Sequence, residues 1–237
     1  MMQAIRARGK RPCPRRAAAA FSRPMCGRYM ITSSFEAMAR LFEAAPADLG
    51  VDAPRPNVSP TQSVPVAVSR EDGRLLVPMR WGFVPSWAKA MNDGPLLINA
   101  RAETLAEKPA FRAAARERRC LIPADGFYEW QGEKGAKVPW AIRRATGGML
   151  AFAGVWQEWR GAEGSVATCA IVTCAANRVL APIHHRMPVV IAPEDFALWL
   201  GEAGHGAARL MAPAPEDALV AAEADEATRE ILRRRPV

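Results

Sequence analysis

The absences in this sequence narrow its class before any motif does. No apolar run in the 237 residues approaches the roughly 20 needed to cross a bilayer. The Ala17–Phe21 stretch is shorter than the about 7–15 apolar residues of a secretory signal core, so a soluble, cytoplasmic protein with no membrane partner is expected. The five cysteines (Cys13, Cys26, Cys120, Cys169, Cys174) form no CxxC pair and no ligand spacing with the three histidines, His184, His185 and His205. That pattern speaks against a zinc site and against a disulfide framework, and neither a metal nor any other cofactor is expected. Internal repeats and an interdomain linker are also missing.

Acidic residues are absent from positions 1–24, which hold seven basic ones: Arg6, Arg8, Lys10, Arg11, Arg15, Arg16 and Arg23. The whole chain carries +8, from 32 Lys+Arg against 24 Asp+Glu, so removing the seven leaves residues 25–237 at +1. The leader reads as a disordered basic arm, an Arg-rich transit segment, or sequence upstream of the working start at Met25; the last reading is preferred. The body, 25–237, is half hydrophobic and a quarter charged over the chain as a whole, ordinary composition for a globular core and wrong for disorder, collagen or a coiled coil.

What is present reads as a single α+β domain on a mainly antiparallel, barrel-like sheet with a few short helices. Strand patterns fall at 64–69, 75–80, 120–122, 127–130, 138–142, 150–157, 166–173 and 187–191. Ser33-x-x-Glu36 predicts a capping box ahead of a short helix. Further helical pattern lies at 109–118 and 193–201, with Pro193 at a first helical position. The proline-rich span 54–65 predicts an extended, ordered loop.

The informative feature is polar side chains embedded in apolar segments: Asn99 and Arg101 after Leu96–Ile98, Glu129 between aromatics, and His184 and Arg186 before Met187-Pro188. Buried ionisable groups are costly unless paired, so each marks a candidate site. Taken singly, each has a plainer reading. Asn99 fits a cap, Glu129 an ion pair with Arg101 or Arg186, and His184 a satisfied core histidine.

Taken jointly they carry a resemblance. Met25-Cys26-Gly27-Arg28-Tyr29, Arg55-Pro56-Asn57 with Pro60-Thr61, Arg80-Trp81-Gly82-Phe83-Val84-Pro85-Ser86-Trp87, Asn99-Ala100-Arg101-Ala102-Glu103-Thr104, Arg119-Cys120-Leu121-Ile122-Pro123, Gly126-Phe127-Tyr128-Glu129-Trp130 and His184-His185-Arg186-Met187-Pro188 resemble the SRAP family of SOS response-associated peptidases, or abasic-site processing proteins. The likeness runs from Met25 to about Leu200. It departs at His185, where an aspartate is common, in the tail from about Met211, and in the 24-residue leader.

The resemblance implies covalent capture of abasic sites in single-stranded DNA by an N-terminal Cys26, with the chain acting as a monomer. A 1,2-aminothiol meets an aldehyde first through its amine and then through its thiol, closing a thiazolidine. An α-amine (pKa about 7.7–8.0) and a thiol (about 8.5) are both partly deprotonated near neutrality. In this reading Glu129 moves protons, His184 helps open the sugar and release the adduct, and Asn99 orients the deoxyribose. Arg28, Arg101 and Arg186 suit phosphates, Thr173 a further hydrogen bond, and Trp81, Phe83, Pro85 and Trp87 an edge on which bases stack. For Trp81, core packing stands level with stacking. Two rivals remain open: a cysteine peptidase acting on its own N-terminus, with Cys26 as nucleophile and His184 as base, and a noncatalytic reader of modified DNA.

Overall fold

The computed structural model describes residues 27–48, 50, 53–133, 135–162 and 164–234. In chain order these form β1 (Arg28–Ile31), α1 (Phe35–Phe42), β2 (Ala44–Pro46), β3 (Arg55–Val58), β4 (Ser63–Arg70), β5 (Gly73–Trp81) and β6 (Asn99–Arg101). There follow α2 (Pro109–Glu117), β7 (Arg119–Ala124), β8 (Gly126–Gln131), β9 (Val138–Arg144), β10 (Leu150–Gly161), β11 (Gly164–Ala175) and β12 (Arg186–Pro188). After β12 come α3 (Phe196–Leu200), β13 (Leu219–Glu223) and α4 (Glu226–Arg233).

Five strands close on themselves. β5, β4, β7, β10 and β11 pair in that order, and β11 returns to β5 in parallel through Thr168 with Arg80 and Cys169 with Trp81. Closure buries the inward face of the ring's strands, while α2, α3 and β1 pack on β7 and β10 from the other side. Residues 64–68 and 150–155 are accordingly buried without alternation, which is why they read as continuous apolar runs. The second half of β11 leaves the ring and takes β6 on one side and β12 on the other.

A second sheet, ordered β13-β9-β8-β1-β3, lies against the ring. Its period-2 alternation sorts the side chains. Tyr29 of β1 points at the ring and meets Trp81 edge-on, 5.1 Å between centroids. Met30 points away, packing with Tyr128 and Ala141 beneath Trp130 and Leu232 of α4.

The sheet-based α+β architecture agrees with the sequence reading, and local details differ. The cap of α1 falls one residue later than the Ser33 box: Ser34 accepts from the Ala37 amide at 3.3 Å, while the Ser33 hydroxyl and amide both bind Asp125. The proline-rich span is not wholly loop, since Arg55–Val58 form a strand on the edge of the second sheet, where prolines are tolerated. Pro193 does open a helical turn, and Pro109 begins α2.

Candidate functional site

β6, β11 and β12 lie side by side. Asn99 pairs with Ile171 and Arg101 with Thr173 across one side of β11, while Thr173 pairs with Pro188 and Ala175 with Arg186 across the other. Five sequence-predicted residues therefore reach one place: Asn99, Arg101, Thr173, Arg186 and, on the turn entering β12, His184. Glu129 comes from the second sheet, on the ring-facing side of β8 and 6 % exposed. The link between the two sheets here is Gln131, whose side-chain amide donates to the Pro182 carbonyl at 2.9 Å and accepts from Trp140 Nε1 at 3.1 Å. It ties Glu129's strand to His184's turn.

The electrostatics agree with this convergence. The His185 ring lies over His184 with centroids 4.4 Å apart. Its pKa is lowered by partial burial first and then by His184, Arg186 and Arg101, with Glu129 pulling the other way. Four of the predicted residues thus act on one imidazole. His185 itself, absent from the expected site, is the ring exposed there.

Arg186 is the first correction. Its guanidinium is buried and engaged bidentately by Glu103, with the second contact at 2.8 Å. The same guanidinium donates to the Thr173 carbonyl at 2.6 Å. Those contacts face the protein interior, whereas the sequence expectation was a phosphate, and Nε is buried without a partner. Glu103 is a carboxylate partner that the sequence did not point to, and this pairing holds the Glu103 carboxyl below its ordinary pKa. Thr173 is the second correction: its hydroxyl is fully buried, facing the Ala100 carbonyl and Arg186, so it has no hydrogen bond to give a ligand.

Trp81 is the third. It is fully buried, edge-on to Tyr29, and its indole N–H donates to the Ile98 carbonyl at 3.0 Å. Of the two readings the sequence left level, core packing holds: no base can stack there, and the ring instead braces the backbone just before Asn99. Six residues on, Trp87 is 61 % exposed and Pro85 half-buried. Their loop is tied down by Trp159 Nε1 to the Ala88 carbonyl at 2.9 Å and by the Val84 amide to Thr168 Oγ1 at 3.0 Å. A bridge from Phe83 to Leu97 sets it beside the segment that leads to Asn99.

Cys26 and the leader 1–24 lie outside the described residues. Gly27 begins them. Arg28 pairs with Tyr128, and continuing that register brings Gly27 alongside Glu129. A Cβ at Gly27 would lie 4.0 Å from Ile98 Cδ1, so the chain enters β1 between Glu129 and the neighbour of Asn99. Arg28, half-buried, donates from Nη1 to Asn57 Oδ1 at 2.7 Å, and Asn57 is held in turn by the Ile231 carbonyl at the end of α4, 2.9 Å away. Arg101 is exposed. The other described cysteines are buried and free, with Cys169 pushed up to about 12 and Cys174 to about 11 by desolvation.

Three residues that sequence reasoning missed hold the site together: Glu103, Gln131 and Asn57. Glu103 had a readable signal, a carboxylate two residues beyond Arg101 at the end of an apolar run. Its partner lies 83 positions away, which no local pattern shows.

A closed mixed ring with polar residues gathered where β6, β11 and β12 meet a second sheet defines a recognisable class. The family model described as SOS response associated peptidase (SRAP) matches residues 25–231, and the chain belongs to that family. Among curated relatives it is 38% identical to the abasic site processing protein YoqW of Bacillus subtilis over 179 residues, 74% of this chain and 80% of that one. It is 35% identical to the abasic site processing protein YedK of Escherichia coli, over 74% of this chain and 79% of that one. A solved protein of Bordetella bronchiseptica superposes with a TM-score of 0.74 at 28% identity, covering 84% of this chain and all of the other.

Proposed function

We propose that the chain processes abasic sites by capturing them covalently in single-stranded DNA, through the amine and thiol of Cys26 in a working form that starts at that residue. The carrying observation is convergence: Glu129 and the neighbour of Asn99 flank Gly27 where the chain enters β1, and Gln131 ties Glu129's strand to the turn of His184. The relatives' printed names agree with abasic sites as the substrate.

The steps balance without oxidant or metal. The Cys26 amine adds to the C1′ aldehyde of the ring-opened deoxyribose, and the carbinolamine loses water to give an imine. The thiol sulfur then adds to the imine carbon while its proton passes to nitrogen. C–N and C–S bonds form and one water leaves. Glu129 carries protons between amine, hydroxyl leaving group and thiol. Asn99 orients the sugar, and His184 assists its opening. With residues 1–25 attached the nitrogen is an amide and cannot add. Hydrolysis of the Met25–Cys26 bond, or translation from Met25 with methionine removal, supplies the amine. Arg28 and Arg101 meet flanking phosphates, and Trp87 with Pro85 meets bases, with one chain sufficient for the task.

Intact mass and a denaturing gel after incubation with abasic single-stranded DNA test the proposal together. Protein starting at Cys26 should give a denaturation-resistant adduct lost in Cys26→Ala and Cys26→Ser. Glu129→Gln should slow its formation about 100-fold, the lower end for a general acid–base residue. An adduct that persists in both cysteine variants overturns the mechanism. Binding without any adduct makes the protein a noncatalytic reader.

A further inference from the structure

The turn 184–186 folds its own backbone back on the His184 ring. The Arg186 backbone N–H lies 3.2 Å from His184 Nδ1, closer than the 3.4 Å from that nitrogen to the Arg186 carbonyl. An amide N–H can only donate, so Nδ1 is the acceptor and its lone pair is occupied. A neutral His184 then carries its proton on Nε2 and presents a donor to the site.

The amide that sets this tautomer is itself held from three directions. Arg186 begins β12, paired with Ala175 across β11. Its guanidinium is clamped by both Glu103 oxygens and donates to the Thr173 carbonyl. Its side chain is 10% exposed, against 51% for Glu103, so a cation with little water around it leans on that carboxylate. Thr173 pairs in turn with Arg101 of β6, the strand that Asn99 opens. Glu103 is thus joined through Arg186 to the imidazole, and through Thr173 to the strand of Asn99.

We infer that Glu103 is a positioning residue for His184: through the buried Arg186 guanidinium it fixes the backbone amide that keeps neutral His184 as an Nε2–H donor. His184 acts as a hydrogen-bond donor and acid toward an oxygen, and in this form it has no Nε2 lone pair to deprotonate a cysteine. Within the abasic-site reading, on which this role rests, the acceptor is the ring or leaving oxygen of the deoxyribose. The groups acting on the neighbouring His185 ring are His184, Arg186, Arg101 and Glu129, and the Arg186 backbone amide is the donor bonded to His184 Nδ1.

Two measurements test this. Long-range 1H–15N correlation on protein starting at Cys26, without DNA, reads the tautomer directly. His184 should show a protonated Nε2 and an unprotonated Nδ1 above its titration, and Glu103→Gln should collapse that into a mixture. A protonated Nδ1 in the unsubstituted protein overturns the inference. The second is the rate of adduct formation at saturating abasic DNA against pH. Glu103→Gln should lower it about tenfold and move the limb that belongs to His184, Glu103→Asp should restore most of the rate, and His184→Ala should remove the sensitivity to Glu103. A Glu103→Gln protein that loses thermal stability but keeps the rate and the pH profile shows a structural role only, and overturns the proposal. If the unsubstituted protein forms no adduct, the abasic-site reading fails while the tautomer result still stands or falls by itself.

Discussion

Trp81 and Trp87 lie six residues apart in one motif and end in opposite surroundings. Apolar neighbours mark both in the sequence, and only the contacts decide: Trp81 fills the space between Tyr29 and the Ile98 backbone, whereas Trp87 stands in solvent. Trp81→Ala should therefore cost about 3–5 kcal/mol of stability, the range for a large aromatic truncated in a core, measurable by urea denaturation. Trp87→Ala should leave stability within about 0.5 kcal/mol and weaken single-stranded DNA binding by about 1–3 kcal/mol if one base stacks on it. The reverse assignment would sink both statements. The Glu103–Arg186 pair gives a pH test. Arg186 holds the carboxyl below its unfolded value, so the pair stabilises fully above the unfolded carboxylate pKa of about 4.3 and ceases to as pH falls through the lower folded value. Thermal melts should show a constant gap between unsubstituted protein and Glu103→Gln from about pH 8 to pH 6, narrowing below about pH 4.5; a gap unchanged at pH 3 would show that charge pairing is not its source. Arg186 and Thr173 were legible as polar residues among apolar ones, and their roles were not, because the same signal marks a phosphate ligand and a buried clamp.

Elements were legible in proportion to how much of their burial is encoded in their own residues. The ring strands β4, β5, β7, β10 and β11 each bury enough Val, Ile, Leu or Phe to announce themselves, and α2 is signalled by Pro109 and by Phe111 and Ala114 three apart. The short pieces escaped: β2, β3, β6 and β13 span three to five residues, and each owes its conformation to the strand beside it. β6 is Asn-Ala-Arg, with no periodicity of its own, yet its register on β11 aligns Asn99 and Arg101 with the rest of the site. α4 escaped for a related reason, since of its eight residues only Ile231 and Leu232 are large and apolar, and Leu232 finds its partners in Met30 and Tyr128. The second sheet is also where backbone approach is tightest. Gly126 pairs with Met30 where β8 starts, and a Cβ there would sit 2.5 Å from the Ile142 carbonyl of β9. Because the obstacle is backbone, Gly126→Ala should force β8 and β9 apart and destabilise by about 1–3 kcal/mol, with a lowered urea midpoint and with adduct formation falling through displacement of Glu129, three residues on. An unchanged midpoint would show that the two strands separate freely.

At the scale of the whole molecule, closure of the ring by the parallel contact of β5 with β11 is the least local feature and was legible only as a count of strands without alternating helices. It matters because β11 leaves the ring beyond that contact, and the site forms on the part that leaves. Charge behaves in the opposite way: it is fully countable in the sequence, and its placement changes its meaning. Of the +8 total, seven positive charges lie in residues 1–24, and within the body the fold has already engaged Arg186 with Glu103 and Arg74 with Glu202. Under the proposed function Arg28 and Arg101 meet phosphates near the point where the chain enters β1. Each phosphate neutralised on a single strand contributes about −0.7 to the slope of log K against log salt, so protein starting at Cys26 should bind a nonreactive abasic-analogue strand with a slope near about −1.4. The chain bearing the leader should be steeper, by up to about −5 more if all seven leader charges engage. Fluorescence anisotropy between 50 and 300 mM salt would measure both. A slope of −4 or steeper for the shorter form would mean that a broad basic surface, and not two placed arginines, holds the DNA. A shallow slope together with an adduct that survives high salt is the result expected of a protein whose grip on DNA is mainly covalent.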